Sequence, residues 1–250
     1  LTYFKMMFSG VGYFPTVMRN TLVLSLAGIL LSPLPAILAI MVTQLSGGWT
    51  GRFQKTIQTA TSLPNFISWV LVYSLFFALF NTSNGPVNQI LLSLGVIEKP
   101  TNILINADVA WLFQICISVW KNSGWNAIIY FAAITGIDQE LYDAADVDGA
   151  GTFQKILHVT VPGLMSTFFV LLLMSIANML SNGFEQYYVF QNALTMNKLE
   201  VLDTYIYKIG LSNLQFSLST AMGIFKSLVS IILLTLANFA SKAIRGESIF

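Results

Sequence analysis

Three stretches of this chain carry no charged side chain: between Arg19 and Arg52, between Lys55 and Glu98, and between His158 and Glu185. No other feature limits the fold as strongly. About 20 mainly apolar residues suffice to cross the hydrocarbon core of a bilayer, and all three gaps are longer than that. Across 250 residues there are 12 Lys+Arg and 11 Asp+Glu, 9 % of the chain, where a soluble domain has about 25 %. That composition excludes a disordered chain, a nucleic-acid binder and an ordinary soluble enzyme. The net charge of +1 gives no sign of a polyanionic partner.

The apolar runs predict five membrane-spanning helices, over 20–45, 63–80, 109–135, 161–182 and 217–240, in one transmembrane domain. The fold class is all-α, a polytopic membrane helical bundle. Pro33 and Pro35 should kink the first span, and the polar run Lys121-Asn-Ser-Gly124 should interrupt the third. Pro162 is expected in the first turn of the fourth, where a missing N–H costs nothing. The piece 87–94 is too short to cross and reads as interfacial or re-entrant. Assigning loops alternately to the two sides divides the basic residues five against five, so the positive-inside rule does not set the orientation.

Cys116 is the only cysteine and His158 the only histidine. No intrachain disulfide and no Cys-based metal cluster can form, and a Ser-His-Asp triad has little to draw on. Cys116 is expected to be a small apolar packing residue. No cofactor and no metal are predicted.

Asp138, Glu140, Asp143, Asp146 and Asp148 fall within a single short segment between the third and fourth spans. Asp138 is a good helix N-cap, Glu140 suits the first turn, and Gly149 or Gly151 would end the helix. Leu141, Ala144, Ala145 and Asp148 then share one face of a helix over 138–149. One reading is a solvated connector whose acids keep it out of lipid. The other is a knob whose alanines admit a partner protein closely.

The residues of this segment resemble the loop motif E-A-A-x3-G-x9-I-x-L-P of permeases in binding-protein-dependent ABC importers. Here Asp143-Ala144-Ala145 is followed by three residues, Gly149, nine residues and Val159-Thr160-Val161-Pro162. The departures are Asp for Glu and Val for both Ile and Leu. The chain is similar to the maltose-type group, and within it to the oligosaccharide permeases associated with polysaccharide use. The similarity lies in Asn20-Thr-Leu, Leu63-Pro-Asn-Phe-Ile-Ser-Trp, Gly124-Trp-Asn-Ala-Ile-Ile-Tyr, Gly183-Phe-Glu-Gln, Asp203-Thr-Tyr-Ile-Tyr, Gly223-Ile-Phe-Lys-Ser and Gly246-Glu-Ser.

The resemblance implies a type I importer permease core lacking the first of six helices, consistent with a start at Leu1. It also implies that the 138–149 helix is cytoplasmic and couples to an ATPase through Asp143, Ala144, Ala145, Gly149 and Pro162. The orientation follows: 46–62 and 136–160 inside, 81–108 and 183–216 outside. The implied partners are two ATP-binding subunits, a second and non-identical permease subunit, an extracytoplasmic sugar-binding protein, an oligosaccharide and the lipid bilayer. No G-x4-G-K-[ST] occurs, so ATP hydrolysis is assigned to separate subunits.

Candidates for the substrate path come from polar chemistry near or within the spans. An ionisable residue at mid-span costs about 2.5–3.5 kcal/mol to insert, which makes Lys121 and Lys226 notable. Glu185 is placed in sequence to pair with either, and such a pair could simply fix helix packing. Asn122, Trp125, Asn182 and Gln186, together with Trp120, Asn178 and Tyr187, have the donors, acceptors and flat faces a sugar needs. Tyr and Trp also populate ordinary interfacial belts. Within this family the alternative cargo is another small solute, and two readings outside it are an ATPase-independent secondary transporter or channel and an intramembrane enzyme. The complete loop motif and the lack of internal repeats oppose the first, and the single histidine and thiol oppose the second.

Overall fold

The computed structural model describes residues 2–8, 13–45 and 51–245. The first residues of the expected inner loop, 46–50, and the Gly246-Glu-Ser stretch lie outside the described residues. Among the described residues the ordered elements are all helical. In chain order they are α1 (Thr2–Phe8), α2 (Phe14–Leu30), α3 (Leu34–Ile40), α4 (Gly51–Ser62), α5 (Trp69–Leu79), α6 (Pro86–Ser93) and α7 (Ala110–Thr135). There follow α8 (Gln139–Val147), α9 (Thr152–Lys155), α10 (Val161–Ala177), α11 (Phe184–Phe190), α12 (Met196–Leu199), α13 (Leu202–Tyr207) and α14 (Phe216–Arg245).

Among the described residues three helical runs are long and apolar enough to cross a bilayer: Phe14–Gln44 with 31 residues, Thr152–Ala177 with 26 and Phe216–Phe239 with 24. At about 1.5 Å per residue each exceeds the roughly 30 Å hydrocarbon core. A fourth is possible if Gly51–Phe66 and Trp69–Leu79, bent by 99° at their junction, form one broken span. Helix α7 has 26 residues, and its hydropathy is diluted by Lys121, Asn122 and their neighbours.

Prolines start or widen helices in this chain. Pro33 is the N-cap of α3 and Pro35 lies in its first turn, after a tight turn in which Leu34 N–H bonds the Leu31 carbonyl at 3.0 Å. At those positions the absent N–H has no intrahelical partner to lose. Pro162 behaves differently from the sequence expectation. Helical structure already begins at Thr152, so Pro162 lies inside a continuous run, just after a widened π-turn at Ile156–Thr160. The wide turn makes room for a ring that cannot donate to the preceding turn.

The expected break in the third span is also absent, because α7 runs unbroken through Lys121-Asn-Ser-Gly124. Its polar side chains are satisfied by an adjacent elbow instead of by water, as described below. Cys116, expected to pack, is exposed on α7.

The chain divides into two compact units. The first takes the described residues of Leu1–Ala27, Ile67–Cys116 and Ala177–Leu233. Its core holds Met7, Phe14, Val17, Leu180, Leu202, Ile209 and Met222, with a satellite of Leu24, Tyr187 and Val201 beside Trp111. Phe113 meets Phe76, Phe80 and Phe190 edge to face at centroid distances of 5.4–6.1 Å, the geometry aromatic quadrupoles favour.

The second unit takes the described residues of Gly28–Phe66, Ile117–Ile176 and Leu234–Phe250. Ala39, Val42, Ala127, Tyr130, Phe131, Ile134 and Leu164 form its core. Large apolar side chains remain exposed along α5, α10 and α14, among them Leu71, Met174, Ile231 and Phe239. A bilayer accounts for such surfaces.

Candidate functional site

Helix α8 is built from its caps inward. Asp138 Oδ1 accepts the Glu140 N–H at 3.0 Å, satisfying one of the free donors of the first turn. At the other end Gly149 adopts φ +76°, Gly149 N–H bonds the Asp146 carbonyl at 3.0 Å, and Ala150 N–H bonds Ala145 at 2.8 Å. That pair of bonds is a Schellman stop, and it requires a residue tolerant of the left-handed region.

Most of α8 is exposed, including Leu141, Asp143 and Ala144. Val147 is 88 % exposed, and Phe153 just beyond it is 74 % exposed. The residues turned toward the protein are Tyr142 and the half-buried Ala145. Tyr142 Oη accepts from Gln44 Nε2 at 2.9 Å and shares a 2.9 Å hydrogen bond with Thr160 Oγ1, a fully buried hydroxyl. An ion pair between Lys155 and Asp146 ties α8 to α9. The arrangement is a short helix, half acidic and half apolar, presented outward and held by one half-buried tyrosine.

Sequence reasoning missed Tyr142. The available signal was a large amphipathic side chain in an otherwise small and acidic helix. Pro162, grouped with α8 in the motif, lies in α10 beyond the π-turn and has no polar contact with the helix to offer.

Lys121, Asn122 and Trp125 come together on α7 against the elbow between α4 and α5. Lys121 is 5 % exposed and its Nζ donates to the carbonyls of Pro64 at 3.2 Å and Asn65 at 2.7 Å. Asn65 Nδ2 donates to Asn122 Oδ1 at 3.1 Å, and Asn122 Nδ2 to Ser118 Oγ at 3.3 Å. Trp125 meets Phe66 edge to face at 5.3 Å. Ser62 Oγ donates to the Gly124 carbonyl at 3.2 Å. A turn containing Pro64 leaves carbonyls without helical partners, and Lys121 supplies the charge that meets them.

The remaining candidates lie in the first unit and do not form one cluster. Asn182 Nδ2 donates to Ser25 Oγ at 2.9 Å. Gln186 is buried and donates to Gln114 Oε1 at 2.8 Å. Glu185 is exposed in the first turn of α11. The expected partner of Lys226 is corrected: its ion pair is with Asp203, whose other carboxylate oxygen accepts Gly183 N–H at 3.2 Å. Asp203 lies in the first turn of α13, close enough in fold to α14 to neutralise a mid-helix ammonium, a proximity no spacing rule gives.

A buried network around Asn20 was not foreseen as such. Asn20 Nδ2 donates to the carbonyls of Asn197 at 3.1 Å and Glu200 at 3.0 Å, and Thr21 Oγ1 accepts from Leu202 N–H at 2.9 Å. The Glu200 side chain, 3 % exposed, pairs with Lys208 at 2.7 Å. Burial and the Glu200 carboxylate together push the nearby Tyr205 phenol up from its ordinary value. Among the described residues no group of three or more His, Cys, Asp or Glu side chains is placed to hold a metal ion.

Comparison with known proteins bears on all of these elements. The family model for "Binding-protein-dependent transport system inner membrane component" matches residues 36–246. Protein LplB of Bacillus subtilis (strain 168) is 37 % identical over 99 % of this chain and 76 % of its own length. The polygalacturonan/rhamnogalacturonan transport system permease protein YteP of the same organism is 37 % identical over 100 % of this chain and 76 % of its own. A chain in the crystal structure of a bacterial ABC transporter involved in the import of the acidic polysaccharide alginate is similar at a TM-score of 0.90. It is 32 % identical, covering 98 % of this chain and 84 % of that one.

Proposed function

Because this chain belongs to the family of inner-membrane components of binding-protein-dependent transport systems, we propose that it forms the translocation path for an oligosaccharide in an ATP-driven importer. As a permease of the bacterial cytoplasmic membrane it is not itself catalytic. The proposed assembly adds two ATP-binding subunits, a second, non-identical permease subunit and an extracytoplasmic sugar-binding protein. Relatives that transport polygalacturonan, rhamnogalacturonan and alginate support an oligosaccharide cargo.

One observation carries the coupling role. Helix α8 is exposed along its acidic and apolar sides yet anchored through Tyr142 to both Gln44 and Thr160. A partner that seats against Asp143, Ala144, Ala145 and Gly149 would therefore move more than a loop. Displacement of α8 acts on the turn that ends α3 and on the π-turn that leads into α10 and Pro162. Closure of the ATP-binding subunits would pull α8 and open the path outward, and hydrolysis would return it to the inward state. The lysine-braced elbow at Lys121, Asn122 and Trp125 is assigned to holding a helix break in the second unit; Asn182, Glu185, Gln186 and Lys226 are the path candidates of the first.

The test is reconstitution of the full complex in proteoliposomes with the binding protein loaded from a panel of oligosaccharides. Stimulated ATP hydrolysis and uptake of a subset of the sugars are expected. Uptake that persists without ATP-binding subunits would overturn the coupled mechanism.

A further inference from the structure

Arg19 on α2, Trp111 at the start of α7 and Lys198 on α12 meet within the first unit. Lys198 Nζ lies 4.1 Å from the Trp111 ring centroid, and the Arg19 guanidinium carbon lies 5.4 Å from the same centroid. The two cations are thus no further apart than those distances combined, which is on the order of the Debye length of about 8 Å at physiological salt. Trp111 Nε1 is fixed by donating to the Lys198 carbonyl at 2.7 Å. Arg19 Nη2 donates to the Asn197 carbonyl at 2.9 Å and to Asn20 Oδ1 at 3.1 Å, leaving the Nε and Nη1 hydrogens to point elsewhere.

Two acids that follow Lys198 in the chain are already engaged. Glu200 pairs with Lys208, and Asp203 with Lys226. The ion pairs formed among the described residues include neither Arg19 nor Lys198. A single cation on an indole is a stabilising contact worth about 0.5–1 kcal/mol at an exposed site. A second cation on the same ring adds repulsion as well as attraction. Two positive charges held on a rigid aromatic with no carboxylate paired to either are an arrangement for attracting an anion. Arginine adds the planar fork that carboxylates accept in pairs.

We propose that Arg19, Lys198 and Trp111 form an anion subsite that receives the carboxylate of a uronic-acid residue in the transported oligosaccharide. The inference rests on the oligosaccharide reading and narrows it to acidic sugars. The named cargoes of two similar proteins, polygalacturonan/rhamnogalacturonan and the acidic polysaccharide alginate, favour a carboxylate over other anions. The proposed orientation, with the chain around 183–216 outside, puts the subsite on the side from which the sugar arrives.

The experiment uses the complete transporter in proteoliposomes with labelled galacturonate trisaccharide and its carboxyl-reduced neutral counterpart. For Arg19→Gln combined with Lys198→Gln, the half-saturating concentration of the uronate should rise at least about tenfold, the scale of one lost charge-assisted hydrogen bond. Any uptake of the neutral sugar should change far less. The charge-conserving pair Arg19→Lys and Lys198→Arg, which keeps both charges but moves the guanidinium fork, should raise it by clearly less than the glutamine pair. The subsite is overturned if the glutamine variant keeps wild-type uronate uptake or if the charge-conserving variant falls as far. It is equally overturned if both sugars fall together, the outcome expected were the cluster serving lipid headgroups or packing. Wild-type transport of neutral sugars alone would remove the subsite and leave the oligosaccharide reading standing. A transporter that imports no oligosaccharide would remove that reading, and the subsite with it.

Discussion

Gly124 and Gly149 are glycines for unrelated reasons, and the difference is measurable. A Cβ at Gly124 would overlap the Thr61 carbonyl and lie 2.8 Å from Ser62 N, backbone atoms that cannot swing aside. Gly124→Ala should cost about 1–3 kcal/mol as overpacking, read as a lower unfolding temperature of the detergent-solubilised protein. At Gly149 nothing lies within 4 Å, and only the φ of +76° resists a side chain. Gly149→Ala should therefore cost only about 1–2 kcal/mol and leave the fold intact. Gly149→Asp and Ala145→Lys are expected to abolish uptake while the subunit still inserts, because they put bulk and charge where the ATPase would seat. Wild-type uptake by either would sink the docking role of α8. Both glycines stand in sequence stretches that resemble the family, but only coordinates separate a contact glycine from a conformational one.

Among the elements, α7 and α8 show where pattern reading succeeds and where it stops. The caps of α8 were legible because capping is local: Asp138, Glu140 and Gly149 act within a few residues of themselves. Its anchor was not, since Gln44 and Thr160 reach Tyr142 from 98 and 18 residues away. Tyr142→Phe deletes both bonds and leaves the buried Thr160 hydroxyl with a single long contact to the Lys155 carbonyl. It should lower binding-protein-stimulated ATP hydrolysis several-fold, with insertion and subunit association retained. Helix α7 misled the sequence reading because Lys121-Asn-Ser-Gly124 has a breaker's composition. The elbow at Pro64 and Asn65 needs donors, and the ladder of α7 stays whole while its side chains provide them. Lys121→Met should strand those carbonyls at a cost of about 1–3 kcal/mol. Faster proteolysis near residues 63–68 would report it, and unchanged cleavage would mean the elbow holds without the lysine.

For the whole molecule the expectation is dependence on partners. The chain inserted alone should neither hydrolyse ATP nor accumulate sugar, and both activities should appear together when the ATP-binding subunits and the binding protein are added. Hydrolysis by the lone chain would contradict its place as a permease. Its all-helical importer fold was readable from the uncharged stretches, because the cost of putting charge in lipid is paid residue by residue and so is written along the chain. The acidic helix was readable too, since motif and caps are matters of spacing. What charge counting did not reveal is the cationic pair on Trp111. A net charge of +1 is a sum over 250 positions and is silent about Arg19 and Lys198, which stand 179 residues apart until folding places them on one ring. The same holds for Lys226 with Asp203 and Lys121 with the Pro64 elbow. Periodicity and propensity act over a few turns of chain, whereas the choice of ionic and hydrogen-bonding partner is made by packing, so only the tertiary structure decided it.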